Sequence, residues 1–586
     1  MRGRVFLIAV LLMALLPGAG STASAAERSQ LDRSTLRGGT YRNPVDFSAY
    51  APGADAGAGA DAGAPSHRFE GTLRLSGKAS TRTVLALDGF IDARDVESAR
   101  SLPQDLEIGF VQQGDSLIPA QRGPIPSRHP WWEFVFEAGK VWDEPADAGW
   151  SRAAVPFALV QRNANCTHNG VLMFLFNDRS ISRAAVQIGS ETCHYLQFDL
   201  WGLLDARYQP QTLPGRDALI AAHTSEVAAR LAVRPMSRLA EDHPGVDPAV
   251  FAIGAPAARS TFGVLVGGIH YRGGCDTRHG AYPFCDVLDI PSYSVAKSAV
   301  GGLSLMRMER LYPGIAVQPV SAHARATGCR SEKWQGVQFL HLLDMATGQY
   351  DSPAYMADED SARIQLFLKP DDHPHRLAFA CEAYPGRDQP GTRFVYHTSD
   401  TYLLGTVLQN ALRRIPERER QDVFEDVLWA DVLAPIGLSQ TAHATRRSYD
   451  AFHQPFFGWG LTLLPDDIAR LARFLGEQQG RIDGKELLAP GLFRAAMQRD
   501  PDAPGLPVPG LERYRYQHGF WARNVQRELG CANPTWVPFM SGFGGITVVM
   551  FPNDAVWYSV ADDGLLASID FAAPAREVAK FGSYCR

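Results

Sequence analysis

The chain has 586 residues, of which 45% are hydrophobic and 20% charged, and its formal net charge is −6. This composition is typical of globular proteins, and the length exceeds what a single hydrophobic core accommodates, so we expect about two to four domains. The acidic balance and the lack of a dense Lys/Arg run argue against a nucleic acid or an anionic membrane as partner.

The N-terminus has the pattern of a secretory signal. Arg2 and Arg4 precede an uninterrupted apolar run at residues 5–16, and residues 23–25 read Ala-Ser-Ala, which is a typical cleavage site. The run is too short for a membrane-spanning helix. We therefore expect a signal peptide at residues 1–25, a secreted or periplasmic protein, and no transmembrane segment.

The cysteine pattern fits an oxidising compartment. The number of cysteines is even, none forms a C-x-x-C motif, and no Cys/His cluster has zinc spacing. Disulfides are therefore favoured over a metal site. Pairing of neighbours along the chain predicts the bonds Cys166–Cys193, Cys275–Cys285, Cys329–Cys381 and Cys531–Cys585.

The composition divides the mature chain into four parts. Residues 26–66 end in "APGADAGAGADAGAPS" and are expected to be a low-complexity linker. Residues 67–215 contain short apolar runs between Gly, Asp and Pro and predict an all-β unit of unknown role, with a sandwich as one arrangement. A hairpin is expected near residues 138–139. Residues 216–244 predict a helical connector, and residues 245–586 an α/β or α+β domain.

The stretch "SYSVAKS" places Ser294 three residues before Lys297. On a helix these side chains share one face, so the amine can reach the hydroxyl. A serine becomes a nucleophile when a neighbouring base takes its proton, and a lysine serves as that base once burial lowers its pKa. The alternative is a solvated helix lysine without a role.

A second stretch, "PGTRFVYHTSDTYLLGTVLQ", resembles the Y-x-N region of the serine β-lactamase and penicillin-binding-protein superfamily. Tyr396 matches the family's tyrosine, and Thr398 stands where asparagine is usual. An S-D-N-like reading of residues 399–401 is the alternative, and a core tyrosine without a catalytic role is another. The stretches "VQFLHLLDMATGQ" and "GKELLAP" are also similar to family segments.

The third family motif, K-T-G or H-x-G on a strand beside the active site, is expected within "FMSGFGGITVVMFPN". Phe543, Gly544 and Gly545 take its place in this reading, as substrate-binding residues without the basic side chain. The resemblance covers about residues 245–586 and is nearest to class C β-lactamase-related esterases and amidases, including 6-aminohexanoate-dimer hydrolase.

This resemblance implies a multidomain protein in which an all-β unit precedes an α+β β-lactamase-like domain with an antiparallel sheet and a helical subdomain. It implies a serine hydrolase of a small ester or amide, with Ser294 as nucleophile, Lys297 and Tyr396 sharing the acid–base role, and no metal or cofactor. The backbone N–H groups of Ser294 and Ile546 are the expected oxyanion donors. The alternatives are a D,D-peptidase or β-lactamase, and a catalytically decayed binding protein. The sequence does not indicate the oligomeric state.

Overall fold

The computed structural model describes residues 28–53, 63–87, 89–92, 94–324, 326–562 and 569–585. The predicted signal peptide and residues 54–62 of the predicted linker lie outside these ranges. Within the described ranges, no helix combines the length and the hydropathy needed to cross a bilayer.

The first half of the chain folds around one antiparallel sheet. Its strands are β1 (Glu70–Ser76), β2 (Ser80–Ala86), β3 (Leu106–Gln113), β4 (Ser116–Pro119), β5 (Trp132–Phe136), β6 (Gly139–Asp143), β7 (Ser151–Gln161), β8 (Thr167–Phe176), β9 (Ala184–Thr192) and β10 (Leu196–Pro210). The sheet closes on itself, because β10 pairs with β9 on one side and with both β1 and β2 on the other, while β1 also pairs with β3. The sandwich, one arrangement that the sequence allowed, is not the one observed, since one closed sheet surrounds an apolar core.

The hairpin expected at residues 138–139 is also wrong. Strands β5 and β6 do not pair with each other; both pair with β7, one along each half of that long strand. The glycine at this point serves close packing instead of a turn, since a Cβ at Gly139 would lie 2.2 Å from the carbonyl oxygen of Ala154. Glycine marks a close backbone approach here, which the sequence alone does not distinguish from a turn.

Residues 28–53, expected as part of a flexible linker, are ordered against the closed sheet. They include a helix, Arg33–Gly38, and the side chains of Leu31, Leu36 and Phe47 are fully buried in the apolar core that also contains Met173 of β8. The low-complexity composition is confined to residues 51–66, while the preceding stretch carries enough apolar side chains to pack. This part of the linker prediction is corrected accordingly.

The second half of the chain contains a nine-stranded sheet that is antiparallel except for the pair β11–β13. The remaining strands are β11 (Val233–Pro235), β12 (Arg259–Val266), β13 (Ile269–Gly274), β14 (Asp276–Thr277), β15 (Gly280–Ala281), β16 (Ile290–Pro291), β17 (Thr462–Leu463), β18 (Arg481–Ile482), β19 (Lys485–Glu486), β20 (Leu506–Val508), β21 (Leu511–Gln517), β22 (Phe520–Asn524), β23 (Trp536–Gly542), β24 (Ile546–Met550) and β25 (Val556–Ala561). The large sheet has the order β11-β13-β12-β25-β24-β23-β22-β21-β20. Since β11 belongs to it, the predicted connector contributes a strand to the second sheet.

Most of the α-helices lie between β13 and β20, and they cover the second sheet. Besides Arg33–Gly38, the α-helices are Val96–Ala99, Arg216–Ala229, Leu239–Asp242, Leu303–Leu311, Val320–His323, Phe339–Leu343, Gln365–Leu368, His373–Glu382, Thr398–Leu412, Gln440–His443, Pro465–Leu475, Pro490–Ala496, Gln526–Leu529 and Ala572–Val578. Two further segments, Lys297–Gly302 and Val423–Leu433, are π-helical. Segregated strands and helices of this kind make an α+β arrangement with a large antiparallel sheet.

The two halves share one apolar core instead of meeting through a flexible connection. A buried ion pair also joins them: Arg446 Nη1 lies 2.6 Å from Glu133 Oε2, and both side chains are 4% exposed. The four disulfides join the cysteine pairs that the sequence predicts. Cys166–Cys193 lies in the closed sheet, next to the loop that reaches the site described below.

Candidate active site

Ser294 lies in the tight turn between the short strand β16 and the π-helix Lys297–Gly302. The residues on both sides of it are buried, whereas Ser294 is partly exposed. The preceding residue, Tyr293, has φ of 39°. This left-handed conformation is uncommon for a residue with a bulky side chain and is typical of strained turns at functional sites.

Lys297 is one helical turn further along, and its side chain is 2% exposed. Its amine lies 3.1 Å from Ser294 Oγ, 2.9 Å from Thr398 Oγ1 and 3.3 Å from the carbonyl oxygen of Gly458. Burial lowers the pKa of Lys297 to about 8, and the negative charges of Glu359 and Asp400 oppose part of that shift. A lysine in this state exchanges a proton near neutral pH.

Tyr396 is the second residue whose polar group contacts Ser294 Oγ, after Lys297. Its hydroxyl donates a hydrogen bond of 2.7 Å to Ser294 Oγ. The ammonium group of Lys297 lies 4.9 Å from the centre of the Tyr396 ring, within the range of a cation–π interaction. Burial, followed by the charge of Glu359, raises the pKa of Tyr396 well above its ordinary value, so the phenol keeps its proton.

Thr398 and Glu359 extend this network towards the surface. The Thr398 hydroxyl accepts a hydrogen bond from Lys297 and donates one to Glu359, whose other carboxylate oxygen accepts from the Thr398 N–H at 2.9 Å. Threonine thus makes a polar contact with the lysine at the position where asparagine is usual. Sequence reasoning missed Glu359, because it lies in a loop with no motif that distinguishes it from other surface carboxylates.

Gly458 was missed as well, although a signal for it exists. A Cβ at this position would lie 2.6 Å from Thr401 Oγ1 and 3.0 Å from Thr398 Cγ2, so a larger residue would displace the threonine that bonds to the lysine. The stretch "GWGLTLL" has the small residues that such an approach requires.

His397, which follows Tyr396, is buried and bonds to carboxylates instead of to the serine. Its Nε2 lies 2.9 Å from Asp358 Oδ2, Asp400 lies 3.8 Å from its Nδ1, and its ring stacks on Tyr384 at 4.1 Å. Burial lowers the pKa of His397, but the two carboxylates outweigh it and raise that pKa to about 9. The pair of Asp358 and Asp400 around a charged imidazole fixes the backbone between Tyr396 and Thr398.

The third predicted motif lies next to the turn that carries Ser294, but it is itself a turn and not part of a strand. Phe543, Gly544 and Gly545 form the turn between β23 and β24, and both glycines have positive φ. The strand ends at Gly542, where a Cβ would lie 2.8 Å from the carbonyl oxygen of Ser292 and 3.3 Å from Tyr293 Cβ. Ile546 begins β24, and its side chain is buried in the shared core.

An aromatic patch surrounds the turn at Phe543. The Phe543 ring lies 5.6 Å from Tyr293, 5.9 Å from Phe90, 5.7 Å from His194 and 6.3 Å from Tyr195. Phe543 and Phe90 are 38% and 50% exposed, and three of the neighbours belong to the first half of the chain. Both halves therefore contribute apolar surface next to the residue that precedes Ser294.

Among the described residues, one group of side chains has metal-like spacing, formed by Cys166, His168 and Cys193. The two cysteines are joined in a disulfide, so they offer no thiolate to a metal. This cluster is a structural feature of the closed sheet.

No protein-family model and no curated protein sequence matches this chain. Among solved structures, it is similar to EstCE1, a hydrolase with promiscuous acyltransferase activity, at 17% identity and a TM-score of 0.41 over 62% of this chain and 100% of that one. It is also similar to a class C β-lactamase from Rhodobacter sphaeroides, at 15% identity and a TM-score of 0.37 over 61% and 99% of the two chains. A D-stereospecific amidohydrolase from a Streptomyces species matches at 15% identity and a TM-score of 0.39 over 56% and 95%.

Proposed function

We propose that this chain is a serine hydrolase that acts through an acyl-enzyme on a small ester or amide. The observation that best supports the proposal is the pair of polar groups around the Ser294 hydroxyl. Ser294 Oγ lies 2.7 Å from the Tyr396 hydroxyl and 3.1 Å from the amine of Lys297. A nucleophile within hydrogen-bond distance of a base that other groups hold in place is typical of covalent catalysis.

In the proposed acylation, neutral Lys297 takes the proton of Ser294 Oγ as this oxygen bonds to the carbonyl carbon of the substrate. Its pKa of about 8 suits a general base near neutral pH. Tyr396 holds Oγ in place during the attack. When the C–O or C–N bond breaks, Tyr396 donates its proton to the leaving alcohol or amine, and the proton that Lys297 took from Ser294 restores the phenol. Water then replaces the leaving group, and the same steps in reverse release the acid and restore Ser294.

The carbonyl oxygen of the substrate gains negative charge in these steps and needs backbone donors. The N–H groups of Ser294 and Ile546 remain the donors proposed from the sequence. Since Gly542 packs directly on the backbone at residues 292–293, the N–H of Phe543, one residue on, is a further candidate. It lies in the turn that faces Tyr293, whereas Ile546 stands at the start of the next strand.

The aromatic patch supports a neutral, apolar acyl group as the preferred substrate portion. Phe543 offers neither charge nor hydrogen-bond donor, and the rings of Phe90, Tyr195 and Tyr293 add apolar surface around it. A carboxylate pressed against these rings would lose its water without gaining a partner, which is costly. This favours an esterase or amidase over a D,D-peptidase or β-lactamase.

Secretion or export to a periplasm is part of the proposal. It is supported by the signal-like pattern at residues 1–25 and by the four disulfides, which persist in oxidising compartments.

The test is covalent labelling with a fluorophosphonate probe, followed by identification of the labelled peptide. We expect one label on Ser294, hydrolysis of p-nitrophenyl butyrate by the unlabelled protein, and loss of both in Ser294→Ala by several orders of magnitude. A wild-type protein that neither labels nor hydrolyses esters would instead indicate a decayed binding protein. Retained turnover in Ser294→Ala would refute the choice of nucleophile.

A further inference from the structure

The turn that carries the proposed nucleophile is bonded to a side chain from the other half of the chain. Asn165, in the loop between β7 and β8 of the closed sheet, is 1% exposed. Its Oδ1 accepts hydrogen bonds from the N–H of Tyr293 at 2.9 Å, from the N–H of Gly460 at 2.9 Å and from Ser292 Oγ at 3.2 Å. Its Nδ2 donates to the carbonyl oxygen of Leu461 at 3.3 Å.

The hydrogen bonds of Asn165 stabilise the turn at Tyr293, whose backbone conformation is unfavourable. Tyr293 has the left-handed φ of 39°, which a residue with a large side chain keeps only when its surroundings fix it. Its N–H is buried, and without Asn165 it would lose its hydrogen-bond partner. Ser294 is the next residue, so a change in the Tyr293 backbone moves Oγ directly.

The same side chain also fixes the segment that holds the lysine. Gly460 and Leu461 follow Gly458, whose carbonyl oxygen accepts from Lys297 Nζ. In the same loop as Asn165, the carbonyl oxygen of Asn163 accepts from the indole N–H of Trp459 at 3.0 Å. The loop therefore binds the two backbone segments on which Ser294 and Lys297 depend.

We propose that Asn165 is a positioning residue of the active site, through which the closed sheet of the first half holds Ser294 and Lys297 in register. The inference rests on the proposed function, because it concerns the same serine. It gives the first half of the chain, which lies outside the family resemblance, a part in positioning the nucleophile. Asn165 acts through the backbone and does not itself touch the substrate.

A matched control lies in the next strand. Asn169 is also 1% exposed and bridges the two halves in the same way: its Nδ2 donates to the Asp289 carbonyl oxygen at 2.8 Å, and its Oδ1 accepts from the Asp289 N–H at 3.0 Å. It binds the chain five residues before Ser294 and ahead of strand β16. Asn169→Ala therefore removes comparable contacts between the halves without touching the turn.

The experiment compares Asn165→Ala and Asn169→Ala in the full-length protein. The readouts are the rate of fluorophosphonate labelling, kcat and KM for p-nitrophenyl butyrate, and the thermal unfolding temperature. We expect both variants to unfold at lower temperature than the wild type. Asn165→Ala should label about 100-fold more slowly and lose kcat by about 100-fold with KM nearly unchanged, because a small misplacement of a nucleophile has that effect. Asn169→Ala should label at close to the wild-type rate.

A folded Asn165→Ala protein that labels at the wild-type rate would overturn the proposal, as would an equal loss of labelling in Asn169→Ala. If Asn165→Ala does not fold, Asn165→Asp decides the matter. It keeps an oxygen acceptor for Tyr293 but sets a carboxyl oxygen against the carbonyl of Leu461 at a position that is 1% exposed, so a folded Asn165→Asp protein should label at least about tenfold more slowly than the wild type. Labelling of Asn165→Asp at the wild-type rate would overturn the proposal. A wild-type protein that neither labels nor hydrolyses esters would instead refute the proposed function itself.

Discussion

The amine of Lys297 lies 3.1 Å from Ser294 Oγ in a site where the lysine is 2% exposed. Removing an ammonium group from water favours its neutral form, and here that effect exceeds the opposing charges of Glu359 and Asp400. The lysine is therefore suited to accept a proton from the serine, and this relationship determines how activity should depend on pH.

Ester hydrolysis should increase with pH through about 8, because the base form of Lys297 is the neutral one and its pKa is about 8. Glu359→Gln removes a negative charge that raises this pKa, so the half-maximal point of kcat/KM should move to lower pH. The measurement is kcat/KM for p-nitrophenyl butyrate from pH 5 to 10, with Glu417→Gln, an exposed carboxylate elsewhere, as control. An unchanged or raised midpoint in Glu359→Gln would contradict the role given to Lys297.

Tyr396→Phe should lower kcat by about 10²- to 10⁴-fold, the usual contribution of an acid–base group. The change removes the hydroxyl that lies 2.7 Å from Ser294 Oγ and keeps the ring beside Lys297. Tyr516→Phe is the matched control, since Tyr516 is buried beside Phe394 and Trp521 and its hydroxyl has no hydrogen-bond partner among the described residues. Comparable kcat values for the two variants would exclude a catalytic role of Tyr396.

The protein should be a poor β-lactamase. Its aromatic patch provides no charged donor at Phe543, and a charge-assisted hydrogen bond is worth about 1.5–3 kcal/mol, so acylation by a carboxylate-bearing substrate should be slower by about one to two decades. The comparison is kcat/KM for nitrocefin against that for p-nitrophenyl butyrate. Nitrocefin turnover equal to or above that of the ester would show that the acyl preference is wrong.

Phe90→Ala should reduce kcat/KM for an ester with a phenylacetyl group more than for the acetyl ester. The ring of Phe90 is half exposed, stacks on Tyr195 at 5.1 Å and lies 5.9 Å from Phe543, so a bound aromatic group can cover it. Phe452→Ala is the control, since Phe452 is 61% exposed and packs on His373 instead. If the ratio of kcat/KM for the phenylacetyl ester to kcat/KM for the acetyl ester is the same in both variants, Phe90 does not contact the substrate.

Arg446→Met should lower the free energy of unfolding by about 3–5 kcal/mol, because it leaves Glu133 buried without its cation. The two groups lie 2.6 Å apart between the halves of the chain. The control, Arg74→Met, breaks a pair whose side chains are 58% and 54% exposed and should cost less than about 1 kcal/mol. Urea unfolding gives the free energy of unfolding of both variants. If the two variants lose the same amount, the buried pair does not stabilise the contact between the halves.

The order of the motifs along the chain was enough to predict the group formed by Ser294, Lys297 and Tyr396. The serine and the lysine are one helical turn apart, so local geometry alone brings them together. The pairing of each cysteine with its neighbour along the chain was also predicted from their order, and it holds for sequence separations from 10 to 54 residues. The antiparallel sheet of the second half followed from the resemblance rather than from periodicity.

Other features depended on contacts between residues far apart in sequence. Glu359 reaches the lysine site only through Thr398, and no local pattern marks it. Gly458 bonds to the lysine from a separate loop, where only a run of small residues marks it. A glycine looks the same in a sequence whether it makes a turn or permits a close backbone approach. The hairpin predicted near residues 138–139 was wrong for this reason. The closure of the first sheet, and the bonds of Asn165 to Tyr293 across 128 positions, depend on long-range backbone geometry. The sequence by itself determined which side chains carry the proposed chemistry, and only the tertiary structure decided what holds them, because hydrogen-bond partners of a buried backbone are chosen by proximity in space.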